Sequence, residues 1–104
     1  MRILVVSDTH GDLRSLIKAV DAQRKAEIIV HCGDGEEQQR FLKDNYKDKM
    51  IVAVRGNCDW NSFFPSKEIF KACGKTIFVT HGHLYDAKSG LYRITSAARE
   101  AGAD

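Results

Sequence analysis

Blocks of apolar residues alternate with polar loops and predict three successive strand–loop–helix units in the first half of the chain. Residues 3–6 form a continuous apolar run, which is typical of a strand buried on both faces of a layered α/β domain. Apolar residues then recur at helical spacing over residues 13–20 and predict an amphipathic helix. The same order returns in residues 28–30 and 36–46, and residues 50–54 form a third β-type run.

The second half of the chain predicts a hairpin followed by one more helix. Residues 67–73 and 76–80 are β-type runs separated by a short turn. Residues 90–102 return to helical spacing and end at a glycine that is well placed to terminate a helix. In the preceding helix, over residues 36–46, Phe41 and Leu42 are expected on the inner face.

Polar side chains follow each of the first three predicted strands and the second arm of the hairpin. These side chains are Asp8 and His10, then Asp34 between two glycines, then Asn57 and Asp59, and finally His81 and His83. Parallel strands joined by helices share one hand, so their carboxyl ends lie on one rim of the sheet. Open α/β sheets place their ligands at that rim, and we expect these residues to converge there.

The residue types at this rim favour a metal centre. Carboxylates, a carboxamide oxygen and imidazoles form a mixed oxygen and nitrogen set that suits Mn, Fe or Zn. Two cations roughly 3.5–4 Å apart need a shared carboxylate, and Asp34 is the natural bridge between them. The alternative is structural: Asp12 would cap the first helix, Asp8 would brace the loop, and His10 would be solvated.

Composition and charge indicate which partners and which cellular compartment to expect. Sixteen Lys and Arg residues against fourteen Asp and Glu residues give a net charge of +2, which does not call for nucleic acid or a membrane surface as partner. Three cysteines, an odd number, without a recognisable signal peptide indicate a reducing compartment, so we expect a cytoplasmic protein. The first apolar run is too short to span a membrane.

Four motifs in order, SDTHGD, GDG, GNCD and THGH, resemble the calcineurin-like metallophosphoesterase superfamily, in particular its small single-domain bacterial and archaeal phosphodiesterases. The resemblance implies an α/β fold of the α/β/β/α type, a two-sheet β-sandwich flanked by helices. It covers residues 1–104 as a single domain. The family's final G-H-x-H motif, which gives one ligand to each metal, is absent, so we expect the chain to be truncated at its C-terminus, with the last strands missing. The resemblance therefore implies activity for the intact protein, whereas the chain as given, without these two ligands, is expected to bind metal weakly and to be inactive.

The resemblance also assigns roles to residues. It implies that Asp8, His10 and Asp34 hold one divalent ion, and that Asp34, Asn57 and His81 hold a second. Mn is the expected metal, with Zn, Fe, Ni or Mg as alternatives. The implied function is a phosphodiesterase that acts on a small phosphoester through metal-bound hydroxide, without nucleic acid or membrane as partner and with a homodimer as an allowed state. The alternative is a catalytically inactive scaffold that keeps the fold for interactions with other proteins.

Several residues around the motifs keep two interpretations. Asn57, Asp59 and His83 are the candidate catalytic residues, Asn57 because of its place near the substrate phosphate. Cys58 stands where many family members have a catalytic histidine, and it is either a thiol near the site or a small space-filling residue. The sequence therefore does not identify the residue that acts as general acid.

Other residues are assigned structural roles or left open. His31 is expected to be structural, and Cys32 and Cys73 are expected to be buried. Trp60, Phe63 and Phe64 line a pocket or form a subunit contact.

Overall fold

A three-stranded parallel sheet carries the polar loops. The computed structural model describes residues 1–59 and 62–104. Strands β1 (Ile3–Val6), β2 (Ile28–His31) and β3 (Met50–Ala53) pair in the order β1-β2-β3, so β2 is central. Helices α1 (Leu13–Ala22) and α2 (Glu36–Asn45) connect the strands in turn. The predicted succession of parallel units is confirmed, and the carboxyl ends of the three strands share one rim.

A two-stranded antiparallel sheet forms the second layer. It consists of β4 (Lys67–Ala72) and β5 (Lys75–Thr80), as the hairpin pattern predicts. Two short 3₁₀ turns, His83–Tyr85 and Ala87–Ser89, then lead to α3 (Tyr92–Glu100). The two sheets and three helices form a mixed α/β structure, which confirms the predicted fold class.

The core has two parts, one on each face of the parallel sheet. Between the two sheets, residues from β2, β3 and β5 pack with Phe70 and Ala72 of β4. On the other face, Leu16 and Val20 of α1 and Leu42 of α2 pack on Ile29 of β2. Strand β2 is therefore covered on both faces, and all four of its residues are buried.

Strand β1 differs from its expected burial. Its apolar run predicts burial on both faces, but Val5 is 61% exposed and no β1 residue is fully buried. The reason is position: β1 is an edge strand, and Val5 lies at the wall of an open apolar cavity that residues of β5 and α3 also line, so no described side chain covers it. A continuous apolar run does not distinguish an edge strand from a central one.

Two further expectations need correction. The inner face of α2 carries the buried polar residues Gln38 and Gln39 beside Leu42, whereas Phe41 is only half-buried. Cys73 is exposed rather than buried, because it lies in the β4–β5 turn with a φ of +50°.

Two aromatic residues that follow β3 differ in burial. Phe64 is buried, and Phe63 is exposed beneath the guanidinium of Arg40. The interpretation of Trp60 lies outside the described residues. Within those residues, no helix has the length and apolar character that crossing a bilayer requires.

Candidate metal centre

Four side chains from three separate loops converge at the rim of the parallel sheet. Nε2 of His81 lies 3.3 Å from Oδ1 of Asp8 and 3.2 Å from Oδ2 of Asp34. Nε2 of His10 lies 3.6 Å and 3.8 Å from the same two carboxylate oxygens. The expected convergence of Asp8, His10, Asp34 and His81 is thus present in the geometry.

The backbone at three of these residues adopts a left-handed conformation that residues other than glycine rarely adopt. Asp8, His10 and Asp34 have φ angles of +55°, +42° and +61°. Left-handed backbone at residues other than glycine costs about 1 kcal/mol or more each and concentrates at functional sites. The surrounding hydrogen bonds therefore hold these three side chains against a local conformational preference.

Backbone hydrogen bonds tie the first two loops together beyond the ends of their strands. The amide of Asp8 donates to the carbonyl of Gly33 over 2.8 Å, and the amide of His10 donates to the carbonyl of Asp34 over 3.1 Å. The third loop, which follows β3, joins them through the amide of Cys58, which donates to Oδ1 of Asp34 over 2.8 Å. The Asp34 carboxylate is 4% exposed, with one oxygen bound by the chain and the other facing His10 and His81.

The close approach of the third loop requires a glycine at position 56. A Cβ added there would collide with the carboxylate and the amide nitrogen of Asp34. Gly56 therefore leaves the space in which the Asp34 side chain lies.

Asp59 supports this arrangement by accepting hydrogen bonds from backbone amides. Its carboxylate accepts from the amides of Asp34 over 2.7 Å, Gly35 over 2.9 Å, Glu36 over 3.1 Å and Gly56 over 2.7 Å. Helix α2 begins at Glu36 with no side-chain cap from Gly35, so the Asp59 carboxylate replaces a local cap and also complements the helix dipole. The geometry therefore gives Asp59 a position in which it orients the Asp34 loop.

A second buried network positions the loop that carries His10. His31 is fully buried, and its Nδ1 accepts from the Gly33 amide and from Nε2 of Gln39. Nε2 of His31 must then carry the proton, and it donates to the hydroxyl of Thr9 over 3.0 Å. The Thr9 hydroxyl donates to Oε1 of Gln38, which also accepts from the amide of Gly11. His31 has the structural role that the sequence predicts for it.

Burial of His31 gives the protein a pH-dependent stability. Desolvation lowers the pKa of His31 below its usual 6.5, although Asp59 and Asp8 act in the opposite direction. As the pH falls below 6.5, the imidazole of His31 therefore takes up its proton in the unfolded chain before it does so in the folded chain. We expect the free energy of unfolding to fall as the pH drops below 6.5, with a slope of at most about 1.4 kcal/mol per pH unit, the limit for one proton.

Urea unfolding at pH 7.0, 6.0 and 5.5 measures this slope. His31→Gln should be less stable at pH 7.0 and should lose most of the slope between these pH values. His83→Gln, which replaces an exposed histidine, is the matched control and should keep it. Equal slopes in all three proteins would show that His31 is not the group responsible.

The ionisation of the rim suits a cation and not a cysteine nucleophile. Burial alone raises the pKa of Asp8, but hydrogen bonds from Ser7 and His81 outweigh it and leave the pKa lowered. Desolvation and the neighbouring Asp34 carboxylate raise the pKa of the Cys58 thiol. A reactive cysteine needs a lowered pKa, so the protein groups around Cys58 do not activate it.

An open cleft of about 450 Å³ lies in front of these residues. Asn57, Cys58 and His83 line it beside Asp8, His10, Asp34 and His81. The cleft also includes Asp86 and Lys88, which the sequence motifs do not indicate and which the two 3₁₀ turns bring to the wall. Only the proximity of these turns to the THGH motif hints at this position in the sequence.

The donor atoms fit a divalent metal. Asp8, Asp34 and His81 each offer one ligand atom, and these atoms lie within 4.8 Å of one another; His10, Asp34 and Cys58 form a second such group. Asp34 belongs to both groups, as a bridging carboxylate would. His81 lies with Asp8 in this grouping, whereas the family resemblance pairs it with Asn57.

Comparison with known proteins agrees with the fold. The family model of the calcineurin-like phosphoesterase superfamily domain matches residues 1–104. A probable metallophosphoesterase of Bacillus subtilis is 34% identical over 108 residues, covering 100% of this chain and 60% of that protein. A phosphodiesterase of Methanocaldococcus jannaschii is 27% identical, covering 90% of this chain and 69% of that protein.

A solved structure gives the same result. The crystal structure of a predicted phosphoesterase from Streptococcus pneumoniae superposes with a TM-score of 0.78 and 29% identity, covering 97% of this chain and 56% of that one. The chain belongs to the calcineurin-like phosphoesterase superfamily, whose members typically bind divalent metals. It spans about 60% of the length of the Bacillus subtilis relative.

Proposed function

We propose that the protein is a divalent-metal-dependent phosphoesterase with a dinuclear centre, acting on small phosphodiesters. The convergence of Asp8, His10, Asp34 and His81 carries this proposal, because these atoms belong to different loops and share one small volume. The names of the related proteins, metallophosphoesterase and phosphodiesterase, support the same reaction class.

The chain's own residues divide into ligands and cleft residues. Asp8, His10, Asp34, Asn57 and His81 would hold the ions, with Asp34 between them. When bound, two divalent ions polarise phosphoryl oxygens and lower the pKa of water, which is the chemistry that phosphoester hydrolysis needs.

Around the ions, the cleft residues bind the substrate. Asn57 and His83 face the cleft that the substrate phosphate enters, and Lys88 adds a positive charge at its wall. Asp59 assists as a positioning residue through the amides of the Asp34 loop.

The proposal extends to the domain organisation, the cellular compartment and the size of the substrate. Residues 1–104 form one metallophosphoesterase domain in this proposal. The three cysteines are free thiols, which supports a reducing compartment such as the cytoplasm. The substrate is a small phosphoester, for which the cleft volume of about 450 Å³ is sufficient.

Hydrolysis of bis(p-nitrophenyl) phosphate tests the proposal directly. We expect activity of the intact protein with Mn or another divalent ion, loss with a chelator, and a fall of about 10²-fold in Asp8→Asn, which removes a charged ligand but keeps the side-chain shape. Asp12→Asn is the control: Asp12 is on the same loop, caps α1 through Ser15, and should retain activity.

The opposite outcomes are equally informative. No hydrolysis with any divalent ion tested, together with no metal binding by calorimetry, would contradict the enzyme and favour the scaffold alternative. Equal losses in Asp8→Asn and Asp12→Asn would show that the loop, and not the ligand, matters.

A further inference from the structure

Cys58 has a position that a space-filling residue would not have. It is exposed at the rim of the cleft rather than packed in the core. Its amide is fixed by Oδ1 of Asp34 over 2.8 Å, so the start of its side chain is held beside that carboxylate. Ligand atoms of Cys58, His10 and Asp34 lie within 4.8 Å of one another.

We propose that the Cys58 thiolate is a metal ligand that completes, with His10 and Asp34, a site of one sulfur, one nitrogen and one oxygen. The proposal rests on the metal centre described above, and it assigns to Cys58 a role that the family resemblance leaves open. Asp34 then joins this site to the second group, formed with Asp8 and His81.

The distances suit such a site after a small adjustment. Bonds of about 2.0–2.3 Å to a tetrahedral ion place neighbouring ligand atoms about 3.6 Å apart. The three atoms already lie within 4.8 Å, and both Cys58 and His10 are exposed side chains that can rotate toward a shared point. On binding, the S–H bond breaks, the electron pair stays on sulfur, and the proton passes to the solvent.

A sulfur ligand changes the expected metal. Thiolate and imidazole favour Zn, Fe or Co over Mn, which prefers carboxylate and water ligands. The Cys58 site should therefore select a softer ion than the all-oxygen and nitrogen ligand set predicts. A histidine at position 58 would supply nitrogen instead, so the cysteine distinguishes the metal preference of this chain.

Cobalt titration with optical spectroscopy tests the proposal without measuring activity. We expect the wild-type protein to show a sulfur-to-cobalt charge-transfer band in the near ultraviolet when Co²⁺ is added. Cys58→Ser should lose that band and bind Zn²⁺ roughly 10-fold or more weakly.

The matched control is Cys73→Ser, which removes the other exposed thiol. Cys73 precedes β5, whereas His81 follows its end, so the two lie roughly 20 Å apart along a six-residue strand. This variant should keep the charge-transfer band.

Thiol labelling provides a second measurement on the wild-type protein. Cys58 and Cys73 are its two exposed thiols, so two should react quickly with a disulfide reagent without metal, and one after saturation with Zn²⁺. Cobalt bound with visible ligand-field bands but no charge-transfer band would overturn the role of Cys58 and leave the metal centre intact. Two reactive thiols in the presence of Zn²⁺ would also overturn it. Failure to bind cobalt at all would overturn the metal centre together with this proposal.

Discussion

Replacing Asp34 by asparagine is expected to lower phosphoesterase activity by about 10³-fold or more, the largest catalytic effect of any single ligand. Asp34 is the one carboxylate shared by both donor groups, so its loss weakens two sites at once. Asparagine tolerates the left-handed backbone at φ +61° and keeps the side-chain shape. The loss should therefore reflect charge and ligation rather than misfolding.

Thermal unfolding with and without metal separates these effects. Saturating metal stabilises a binding protein by about 2.7 kcal/mol at a ligand concentration of 100 times Kd, and Asp34→Asn should lose most of that increment. The stability of Asp34→Asn without metal should change little, because the substitution also removes the charge repulsion between the neighbouring carboxylates of Asp8 and Asp34.

Asp44→Asn is the control, since it alters an exposed carboxylate on α2. Retention of both activity and metal-dependent stabilisation in Asp34→Asn would refute the bridging role.

The convergence of the candidate ligands was predictable because their sequence signals are local. Each of Asp8, His10 and Asp34 follows an apolar strand within a few residues, and parallel strand order then brings the loops to one rim. The hairpin ending at His81 was also evident from its two β-type runs. Convergence in space follows from the topology without knowledge of any side-chain contact.

The supporting residues were not predictable, because their roles depend on side-chain pairs distant in sequence. Gln38 and Gln39 have no apolar pattern, yet they are buried because the neutral His31 and the Thr9 hydroxyl need partners. Phe41 has the pattern of an inner-face residue and is only half-buried, since Gln38, Gln39 and Leu42 occupy the inner face of α2 and the Phe41 ring lies edge-on beside Tyr46.

The exposure of Val5 has a similar origin. A strand's place in the sheet order is a property of the whole fold, and the apolar run of β1 reads the same at an edge as at the centre.

Removal of the Asp59 carboxylate is expected to produce the largest loss of stability. Asp59→Ala leaves four backbone amides without their acceptor, three of them at the start of α2 and its preceding loop. Each buried donor left without a partner costs about 1–3 kcal/mol, and partial hydration of the half-exposed site reduces the sum. We expect the free energy of unfolding to fall by about 3 kcal/mol, which lowers Tm by roughly 12–24 °C in a domain of this size.

The comparison with Asp12→Ala shows why this carboxylate differs from an ordinary helix cap. Asp12 caps α1 from its own chain segment through Ser15, and its loss should cost about 1 kcal/mol. Asp59→Asn keeps one acceptor oxygen and should fall between the two. Because Asp59 connects the third loop to the second, its alanine variant should also bind metal more weakly, through displacement of Asp34, whereas Asp12→Ala should not. A loss of stability in Asp59→Ala no larger than that in Asp12→Ala would mean that water replaces the carboxylate and that the Asp34 loop is held by its other hydrogen bonds.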